Sequence, residues 1–561
     1  MTVAPEPVGR YRALTDRLFA HALSDRAGIN IGGYVDAQAA RESARPAVLL
    51  GDQVLTYGAL ADRSSRLAAA LRAHGVSTGD RVAVCLPQGP DCATAHAGVL
   101  KAGGVSVPLS RMYGSAALTA RLEQAMPRLV ICEPSRVELF TAAIAEAGCS
   151  ARIVVSGEAR SSCPRLADLI AGGSASFATV ATSRDDPALL LFTSGTTGPP
   201  KGALHAHRVV VGHAASLGLA HNIFPRKDSV LWTPADWSWA GGLVNCLLYS
   251  WYAGVPIVAT PDRPFDPEAA LRLLADNSVT AAFLPPTALK RMRAAYTEPV
   301  RERTRVASIM SGSESLDADL LDWSAEYFGV LPNEVYGQTE ASAIVGNCSV
   351  LLPVRPGSIG VPYPGGSVVV IDDDGNIAPP GSRGELAVSA SADSVFLRYW
   401  QDPESTAAKF TGPDNRWMRL GDTGWCDEDG YLWFSDRRDD VINSSGYRIG
   451  PSEVERCLRR HSAVLDAAVV GLPDPDRGSV VAAFVELRDG HRTSPELERS
   501  LADLVATELA PFQRPRRVHV VDALPRTVTG KVRRAGIREE FSRSPTDHPA
   551  SAAEPGRPPR G

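Results

Sequence analysis

Helical and strand patterns alternate along the first four hundred residues of this 561-residue chain, and this alternation limits its possible folds most. Apolar residues recur at helical spacing over 60–71, Gly75 ends that helix, and 81–86 is a compact apolar strand. The same order returns at 271–274 and 280–284. Such alternation predicts layered α/β subdomains with largely parallel sheets.

The pattern changes near residue 367 to short strands separated by turns. Apolar segments at 367–371, 384–388 and 431–434 are punctuated by Asp/Gly-rich turns. We therefore expect a large N-terminal domain over 30–438, in which about 350–438 forms a β-rich subdomain.

A second, smaller domain is predicted after the charged segment 436–440. Ser452 and Glu455 fit a capping box at a new helix start, and strands are expected at 467–472 and 480–485. This gives an α+β C-terminal domain over 439–540. Residues 1–29 are an N-terminal extension, and the Pro/Ser/Arg-rich end, 541–561, is predicted to be disordered.

The bulk composition narrows the classes of function. The chain has 44% hydrophobic residues and a net charge of −5, and no basic patch is interleaved with aromatics, so nucleic acid is not an expected partner. Nine scattered cysteines lack metal-ligand spacing and are predicted to be reduced and mostly buried. No apolar run approaches the roughly 18 residues of a membrane span, and no signal segment is visible, so a cytoplasmic location is expected.

The segment 192–203 is a loop of glycines and hydroxyl side chains that ends at a lysine. Glycine lets the backbone approach phosphate oxygens, and the apolar strand 187–192 delivers the loop, so the composition suits a polyphosphate. The ordinary P-loop pattern does not fit, because Pro200 precedes Lys201 where glycine is required and Gly202 follows where Ser or Thr is required. From these residues alone, a plain surface loop remains the alternative.

Five further motifs follow in a fixed order, at 311–315, 335–340, 419–424, 436–442 and 524–531. Together with the loop, they resemble the acyl-adenylate-forming (AMP-binding) superfamily over about residues 30–540. The versions at 336–340 and 444–455 are most similar to the medium-chain acyl-CoA synthetase group. The resemblance implies that a carboxylate attacks ATP to give an acyl-adenylate and pyrophosphate, and that CoA then takes the acyl group and releases AMP.

The resemblance also implies the cofactors ATP, Mg²⁺ and CoA and a set of residues for each step. Lys531 is the implied catalytic lysine at the α-phosphate, with Glu340 as the Mg²⁺ ligand and Thr193 beside the phosphates. The implied ATP-binding residues are Thr193, Ser194, Gly195, Thr196, Thr197, Lys201, Ser313, Glu314, Glu334, Tyr336, Gly337, Gln338, Thr339, Asp422, Arg437 and Lys531.

The second half-reaction requires the lysine to leave the site so that a thiol can enter. Asp439 occupies the family's hinge position, where a few residues absorb a large backbone rotation. The rotation would present the implied CoA-binding residues Ser445, Gly446, Tyr447 and Arg448.

The acyl pocket is implied by alignment with acetate-specific relatives, in which a tryptophan takes the position of Gly337 and shortens the acyl channel. The implied pocket residues are Trp237, Trp239, Ala240, Gly241, Leu284, Gly312 and Gly337. Small residues at four of these positions predict a substrate larger than acetate, namely a medium-chain, branched or aryl acid. The tryptophan pair has ordinary core packing as its alternative.

Several partners and functions stay open at this stage. The acyl acceptor can be a carrier-protein phosphopantetheine instead of free CoA, since the shared motifs do not separate the two. A non-enzymatic nucleotide-binding regulator is disfavoured by the presence of Lys531, Glu340 and Asp422. Two further partners stay open: a second copy of the chain, and a lysine acetyltransferase acting on Lys531.

Overall fold

We describe the fold from a computed structural model. It describes residues 6–19, 29–158, 163–193, 200–261, 264–296, 298–313, 316–437, 440, 442–444, 447–474, 478–509, 513–527 and 530–542. The chain divides into two compact units, a first unit, Met1–Phe434, and a second unit, Ser435–Gly561. The division falls just before the charged segment 436–440, and the boundary at Asp439 stays a prediction together with the other domain limits.

The first unit contains a nine-stranded sheet whose centre is parallel and whose edges are antiparallel. Ser311 and Glu334 are register partners on neighbouring parallel strands of this sheet. In spatial order, its strands are Val361–Pro362, Ala341–Gly346, Asn333–Gln338, Ser308–Gly312, Ala281–Phe283, Leu231–Trp232, Ile257–Val258, Pro46–Leu50 and Gln53–Thr56.

A seven-stranded sheet forms the second layer of the first unit. Four of its neighbouring pairs are parallel, and the two pairs at one edge are antiparallel. In spatial order, its strands are Arg398–Tyr399, Gly202–Ala206, Pro187–Phe192, Val105–Pro108, Arg81–Cys85, Leu129–Cys132 and Arg152–Val155. The predicted α/β class with largely parallel sheets is confirmed.

Helices cover both sheets. The helix predicted over 60–71 spans Tyr57–Ala73, where Thr56 accepts a hydrogen bond from the Ala59 amide (3.2 Å) as N-cap and Leu60, Leu67 and Leu71 are buried. The other α-helices of this unit are Glu6–Leu18, Gly33–Arg41, Pro90–Lys101, Ser115–Ala125, Val137–Glu146, Leu166–Gly172, Val209–Ala220, Ala240–Gly242, Tyr249–Ala253, Pro267–Asp276, Pro286–Ala295, Ala318–Phe328 and Pro403–Ala408. A π-helical stretch, Leu243–Leu248, and two 3₁₀ turns, Pro134–Arg136 and Pro413–Asn415, complete the set.

The β-rich region forms a five-stranded sheet, but one of its segments leaves it. The sheet consists of Val368–Ile371, Arg383–Ser389, Phe410–Thr411, Trp417–Cys426 and Leu432–Arg437. Arg398–Tyr399, in contrast, pairs with Gly202–Ala206 at the edge of the seven-stranded sheet, with Tyr399 opposite Ala203. The β-rich region is therefore attached directly to the strand that follows the 192–203 loop.

The second unit packs its helices on a sheet of five strands. Its strands are Ile442–Ser444, Tyr447–Ile449, Val464–Asp474, Gly478–Leu487 and Arg517–Val520, and its helices are Pro451–Arg459, Pro495–Glu508 and Arg534–Ser542. The two long strands lie where the sequence predicts them.

The predicted capping box in the second unit is wrong. Gly450, not Ser452, is the N-cap of Pro451–Arg459. Glu455 is buried and turns to distant partners instead: its Oε1 accepts from the Val469 amide (2.8 Å), and its carboxylate pairs with Arg534 (2.7 Å). A long-range ion pair has replaced the local cap, which a sequence pattern of four residues does not reveal.

The ion pair of Glu455 belongs to a larger group. Arg534 also contacts Asp440 (3.1 Å), and Arg538, one turn further along the last helix, contacts the other oxygen of Asp440. The start and the end of the second unit are thereby joined through two carboxylates and two guanidinium groups.

The cysteines and the helices agree with the bulk predictions. All nine cysteines are free, and six of them are buried. None of the helices in the described ranges has the length and apolar character needed to cross a membrane.

Candidate active site

The 192–203 loop joins two antiparallel strands of a hairpin. Pro187–Phe192 and Gly202–Ala206 pair with Phe192 opposite Gly202, and the loop is closed at its base by the Thr193 amide bound to the Lys201 carbonyl (2.9 Å). The Lys201 amide returns a bond to Thr193 Oγ1 (3.3 Å). An ordinary P-loop leads from a strand into a helix, so this hairpin confirms that the loop is of another kind. Ser194, Gly195, Thr196 and Thr197 lie outside the described residues.

Lys201 extends towards the segment that the β-rich region contributes. Its Nζ donates to Ser405 Oγ (2.8 Å) and lies 5.3 Å from the centroid of the Tyr399 ring. The side chain is exposed, so the ammonium group at the end of the loop is accessible to an anionic ligand.

Glu340 presents a buried carboxylate beside this hairpin. Its Oε1 accepts a hydrogen bond from the Tyr399 hydroxyl, and its backbone carbonyl accepts from the Phe396 amide (2.8 Å). The preceding carbonyl, Thr339 O, accepts from His205 Nε2 (2.8 Å), which lies on the strand that follows the loop. Burial lowers the His205 pKa to about 3, so this imidazole stays neutral and donates through Nε2.

The chemistry of the Glu340 carboxylate fits a magnesium ion. In the described part of the chain, Tyr399 is its one hydrogen-bond donor, and that bond uses Oε1. A hard cation of this kind is usually held by one or two carboxylates together with substrate phosphates. No cluster of three or more His, Cys, Asp or Glu side chains that could hold a metal ion occurs among the residues described.

Asp422 is buried in a polar cluster beside the carboxyl end of the strand Asn333–Gln338. Its Oδ2 accepts from the Tyr336 hydroxyl (2.5 Å) and from Gln338 Nε2 (2.9 Å). Lys409 Nζ donates to Gln338 Oε1 (3.2 Å) and so fixes the orientation of the amide. The strand Asn333–Gln338 thus places two of its side chains on one carboxylate that is 84 and 86 residues away in sequence.

Glu334 lies earlier on this strand and is fully enclosed. It accepts from the Leu316 amide at Oε2 (3.2 Å), and burial raises its pKa from 4.5 to about 8. Its register partner on the neighbouring strand is Ser311, whose buried hydroxyl has no hydrogen-bond partner in the described structure. At neutral pH the carboxyl group is therefore mainly protonated and can donate as well as accept.

Ser313 directly follows the neighbouring strand and has a left-handed backbone, φ = 87°. This conformation is uncommon for a residue with a side chain and is found most often at functional sites and in tight turns. Glu314, the next predicted residue, lies outside the described residues.

The glycines assigned to the acyl pocket do not border open space. A Cβ atom on Gly337 would approach the Ala343 amide nitrogen to 2.4 Å, and one on Gly312 would approach the Val335 carbonyl oxygen to 2.7 Å. A Cβ on Gly241 would lie 2.8 Å from the Phe283 ring. These three glycines permit close packing of strands and rings, so the depth of a pocket does not follow from their size alone.

The predicted pocket residues also divide between the two faces of the nine-stranded sheet. Trp237 is buried on the same side as Phe283, whereas Leu284 is fully buried in the core on the opposite side. Successive residues along the chain here point to opposite faces, so Phe283 and not Leu284 lies on the side of Trp237, and the assignment of Leu284 to the acyl pocket stays a prediction. Ala240 packs beside the Trp237 cluster, and Trp239 is half-buried with its ring 6.0 Å from Tyr113.

In the second unit, Lys531 sits at the end of a tight turn. The Thr527 amide donates to the Lys531 carbonyl (2.7 Å), the Lys531 amide donates to Thr527 Oγ1 (3.1 Å), and Gly530 has φ = 89°. Arg526, at the start of the turn, is held by Asp466 (2.5 Å). The backbone that carries the lysine is therefore well anchored within its own unit.

The implied hinge and CoA-binding residues, together with Arg437 of the implied ATP site, lie at or beyond the limits of the described residues. Asp439, Ser445 and Gly446 lie outside the described residues, and only the backbone strands are described at Arg437, Tyr447 and Arg448. Their roles stay predictions.

Comparison with known proteins identifies the family to which the chain is similar. The AMP-binding enzyme family matches residues 35–400, and the AMP-binding enzyme C-terminal domain matches residues 453–531. The uncharacterized acyl–CoA ligase YtcI of Bacillus subtilis (strain 168) is 33% identical over 486 residues, which cover 86% of this chain and 90% of that protein.

Two further comparisons agree. The mitochondrial acyl-coenzyme A synthetase ACSM3 of Rattus norvegicus is 32% identical over 482 residues, covering 83% of this chain and 81% of its own. The crystal structure of a benzoate CoA ligase from Burkholderia xenovorans LB400 superposes with a TM-score of 0.81 at 28% identity, covering 91% of this chain and 99% of that one.

The chain belongs to the AMP-binding enzyme family. Its reaction class is that of the acyl-CoA synthetases, acid–thiol ligases that consume ATP and release AMP. This confirms the resemblance, the fold class and the enzyme class predicted from sequence.

Three residues of the site were missed by sequence reasoning. Tyr399 and Lys409 hydrogen-bond to Glu340 and Gln338, and the Phe283 ring occupies the space that a Cβ atom on Gly241 would enter. A signal existed only for Phe283, because it lies inside the apolar run at 281–284 that was predicted as a strand.

Proposed function

We propose that this enzyme activates a carboxylic acid larger than acetate with Mg²⁺ and ATP, and then transfers the acyl group to free CoA. The observation that carries the proposal is the convergence of three groups on adjacent segments. These groups are the loop lysine Lys201, the buried carboxylate of Glu340, and the cluster of Tyr336, Gln338 and Asp422. They lie on or against two strands and one crossover segment. These groups supply the types of donor and acceptor that phosphate, metal and ribose require.

In the adenylation step, Thr193 and Lys201 would bind the pyrophosphate portion of ATP. When bound, Mg²⁺ supplies charge neutralisation between phosphate oxygens, and Glu340 would hold it. Asp422, fixed by Tyr336 and Gln338, would accept from the ribose hydroxyls. Lys531 would lie between the carboxylate and the α-phosphate and neutralise the charge that develops there.

Glu334 would read the adenine base. A protonated carboxyl group accepts with its carbonyl oxygen and donates with its hydroxyl, which matches the exocyclic amine and an adjacent ring nitrogen of adenine. The raised pKa supports this pairing, because the group is already neutral at pH 7.

The acid side of the site is proposed to begin at Phe283. Its ring fills the space beside Gly241 on the face that also holds Trp237. An aromatic wall of this kind suits an aryl or medium-chain acid, and the similarity to a benzoate CoA ligase favours the same class.

After adenylation, a rotation at Asp439 would withdraw Lys531 and bring Ser445, Gly446, Tyr447 and Arg448 to the CoA arm. This step rests on the family resemblance, as does the choice of free CoA over a carrier protein. Self-association, acetylation of Lys531 and a cytoplasmic location likewise stay predictions from the sequence.

The test is a panel of carboxylic acids from acetate to octanoate and benzoate, each incubated with ATP, Mg²⁺ and CoA while AMP and thioester are measured. We expect AMP and acyl-CoA in equal amounts, with higher kcat/KM for benzoate or hexanoate than for acetate. Lys531→Ala should lose adenylation for every acid, while Arg526→Lys, which alters the anchor of the same turn, should retain most of it. Pyrophosphate exchange without any acyl-CoA would exclude free CoA as the acceptor, and a preference for acetate would contradict the pocket.

A further inference from the structure

The hydroxyl of Tyr399 lies where the phosphate loop and the proposed metal ligand meet. It donates to Glu340 Oε1, while the ring of the same residue lies 5.3 Å from Lys201 Nζ. Tyr399 therefore contacts a candidate metal ligand with its hydroxyl and a candidate phosphate ligand with its ring. It belongs to a two-residue strand that lies between the motifs at 335–340 and 419–424 and outside both.

The position of Tyr399 is fixed by its surroundings. Its backbone is opposite Ala203 in the antiparallel pair with the loop strand, and its amide donates to Thr406 Oγ1 (3.0 Å). The Phe396 ring packs edge-on against its own ring at 4.9 Å, and the residue is 6% exposed. A phenol held this firmly gives its hydroxyl one direction, which is towards Glu340.

The consequence for Glu340 is geometrical. A carboxylate can rotate about its last bond, and each of its oxygens can face the phosphates. Tyr399 engages Oε1, and no described residue donates to Oε2. The bond to Oε1 restricts the rotation of the carboxylate, as do the outer hydrogen bonds that orient metal-binding carboxylates in general.

We propose that Tyr399 is a positioning residue that orients Glu340 for Mg²⁺ and supports Lys201 at the phosphates. The proposal rests on the proposed function, because it takes Glu340 as the metal ligand. A purely structural role is the alternative, in which the hydroxyl only satisfies a buried carboxylate. That role predicts a loss of stability without a loss of metal affinity.

The test measures Mn²⁺ binding to the full-length enzyme by electron paramagnetic resonance in the presence of α,β-methylene-ATP, which cannot be cleaved to AMP. Tyr399→Phe should weaken Mn²⁺ binding by about 10- to 100-fold, the usual effect of removing such an orienting partner. Tyr431→Phe is the matched control, since Tyr431 is also buried and donates to a backbone carbonyl, Pro353 O (2.7 Å), away from the site. It should leave Mn²⁺ affinity unchanged.

A double-mutant cycle separates the two hypotheses. Glu340→Gln should itself weaken Mn²⁺ binding, and in that background Tyr399→Phe should add no further loss. Unchanged affinity in Tyr399→Phe with a clear loss in Glu340→Gln would overturn the positioning role and leave the proposed function intact. Unchanged affinity in Glu340→Gln would overturn the metal assignment and, with it, the role of Tyr399.

The comparison also remains informative if Tyr399→Phe does not fold. Glu340→Gln and the double variant both lack the buried charge that would be left unpaired, so the two can be compared directly. Equal Mn²⁺ affinity in these two proteins supports the proposal, and a further loss in the double variant contradicts it. Tyr399→Leu in the Glu340→Gln background removes the ring as well, and should weaken binding of α,β-methylene-ATP by about threefold through the loss of support for Lys201.

Discussion

Replacing Glu334 with glutamine tests whether a neutral carboxyl group reads the adenine base. Glutamine has the same shape as the protonated acid and offers the same pair of groups, one acceptor and one donor. Because burial raises the Glu334 pKa to about 8, the wild-type side chain is about nine-tenths protonated at pH 7. Glu334→Gln should therefore bind nucleotide at pH 7 nearly as well as the wild type.

The difference should appear at higher pH. If the neutral form binds adenine, a pKa of about 8 predicts that wild-type affinity falls about tenfold by pH 9, or about 1.4 kcal/mol. The glutamine has no proton to lose in this range, so its affinity should not follow that fall. The ionisation of the nucleotide is common to both proteins and cancels in the ratio of their dissociation constants.

The same shift affects the stability of the free enzyme. A carboxyl group whose pKa is raised on folding stabilises the fold fully below its unfolded pKa of 4.5, and this contribution is lost as the pH rises through about 8. The loss is at most about 5 kcal/mol of unfolding free energy. Glu334→Gln should remove this part of the pH dependence.

Isothermal titration calorimetry with α,β-methylene-ATP at pH 7 and pH 9 measures the affinity ratio, and chemical unfolding from below pH 4.5 to pH 9 measures the stability. A ratio that does not change with pH would refute the reasoning. So would a wild-type affinity that rises towards pH 9, because the charged carboxylate would then be the binding form.

Three other substitutions follow from contacts described above. Gly337→Ala should lower the unfolding free energy by about 1–3 kcal/mol and reduce turnover of all acids alike, since the new Cβ meets the backbone at Ala343. A selective gain in turnover of acetate at unchanged thermal stability would contradict this prediction. Phe283→Leu should raise kcat/KM for an acid one or two carbons longer by about three- to tenfold relative to benzoate, and an unaltered acid profile would remove Phe283 from the pocket wall. Arg534→Met should destabilise the second unit by about 3–5 kcal/mol, because it leaves Glu455 buried without its partner. Hydrogen exchange of 464–487 measures this loss of stability. The double variant Glu455→Gln/Arg534→Met should recover part of the lost stability.

Sequence patterns predicted the regular elements of this enzyme well. The strand 187–192 and the helix that begins after Thr56 were found at the residues where they occur, because local apolar spacing and caps determine such elements. The motifs likewise pointed to Asp422 and Glu340, which the structure shows to be buried and hydrogen-bonded.

The residues that were missed depend on pairing over long distances. Tyr399 reaches Glu340 only because a two-residue strand crosses from the β-rich region to the loop strand, and so short a strand has no periodic pattern. Which sides of the sheet Phe283 and Leu284 face could not be predicted either, because a strand of three residues is too short for alternation to show which face is which. Glu455 fitted the pattern of a local helix cap, but its carboxylate pairs with Arg534, 79 residues away.

The ion pairs at the ends of the second unit have a consequence for how the enzyme is made. Asp440 and Glu455 are translated long before Arg534 and Arg538, with 94 residues between Asp440 and Arg534. A carboxylate without a partner is costly to bury, so Glu455 is expected to enter its core position only when the last helix has left the ribosome. Lys531 lies three residues before that helix, so the proposed catalytic lysine and the arginine that completes the unit emerge together. A nascent chain whose first unit has folded would thus have its proposed nucleotide-binding residues in place before it can adenylate any acid.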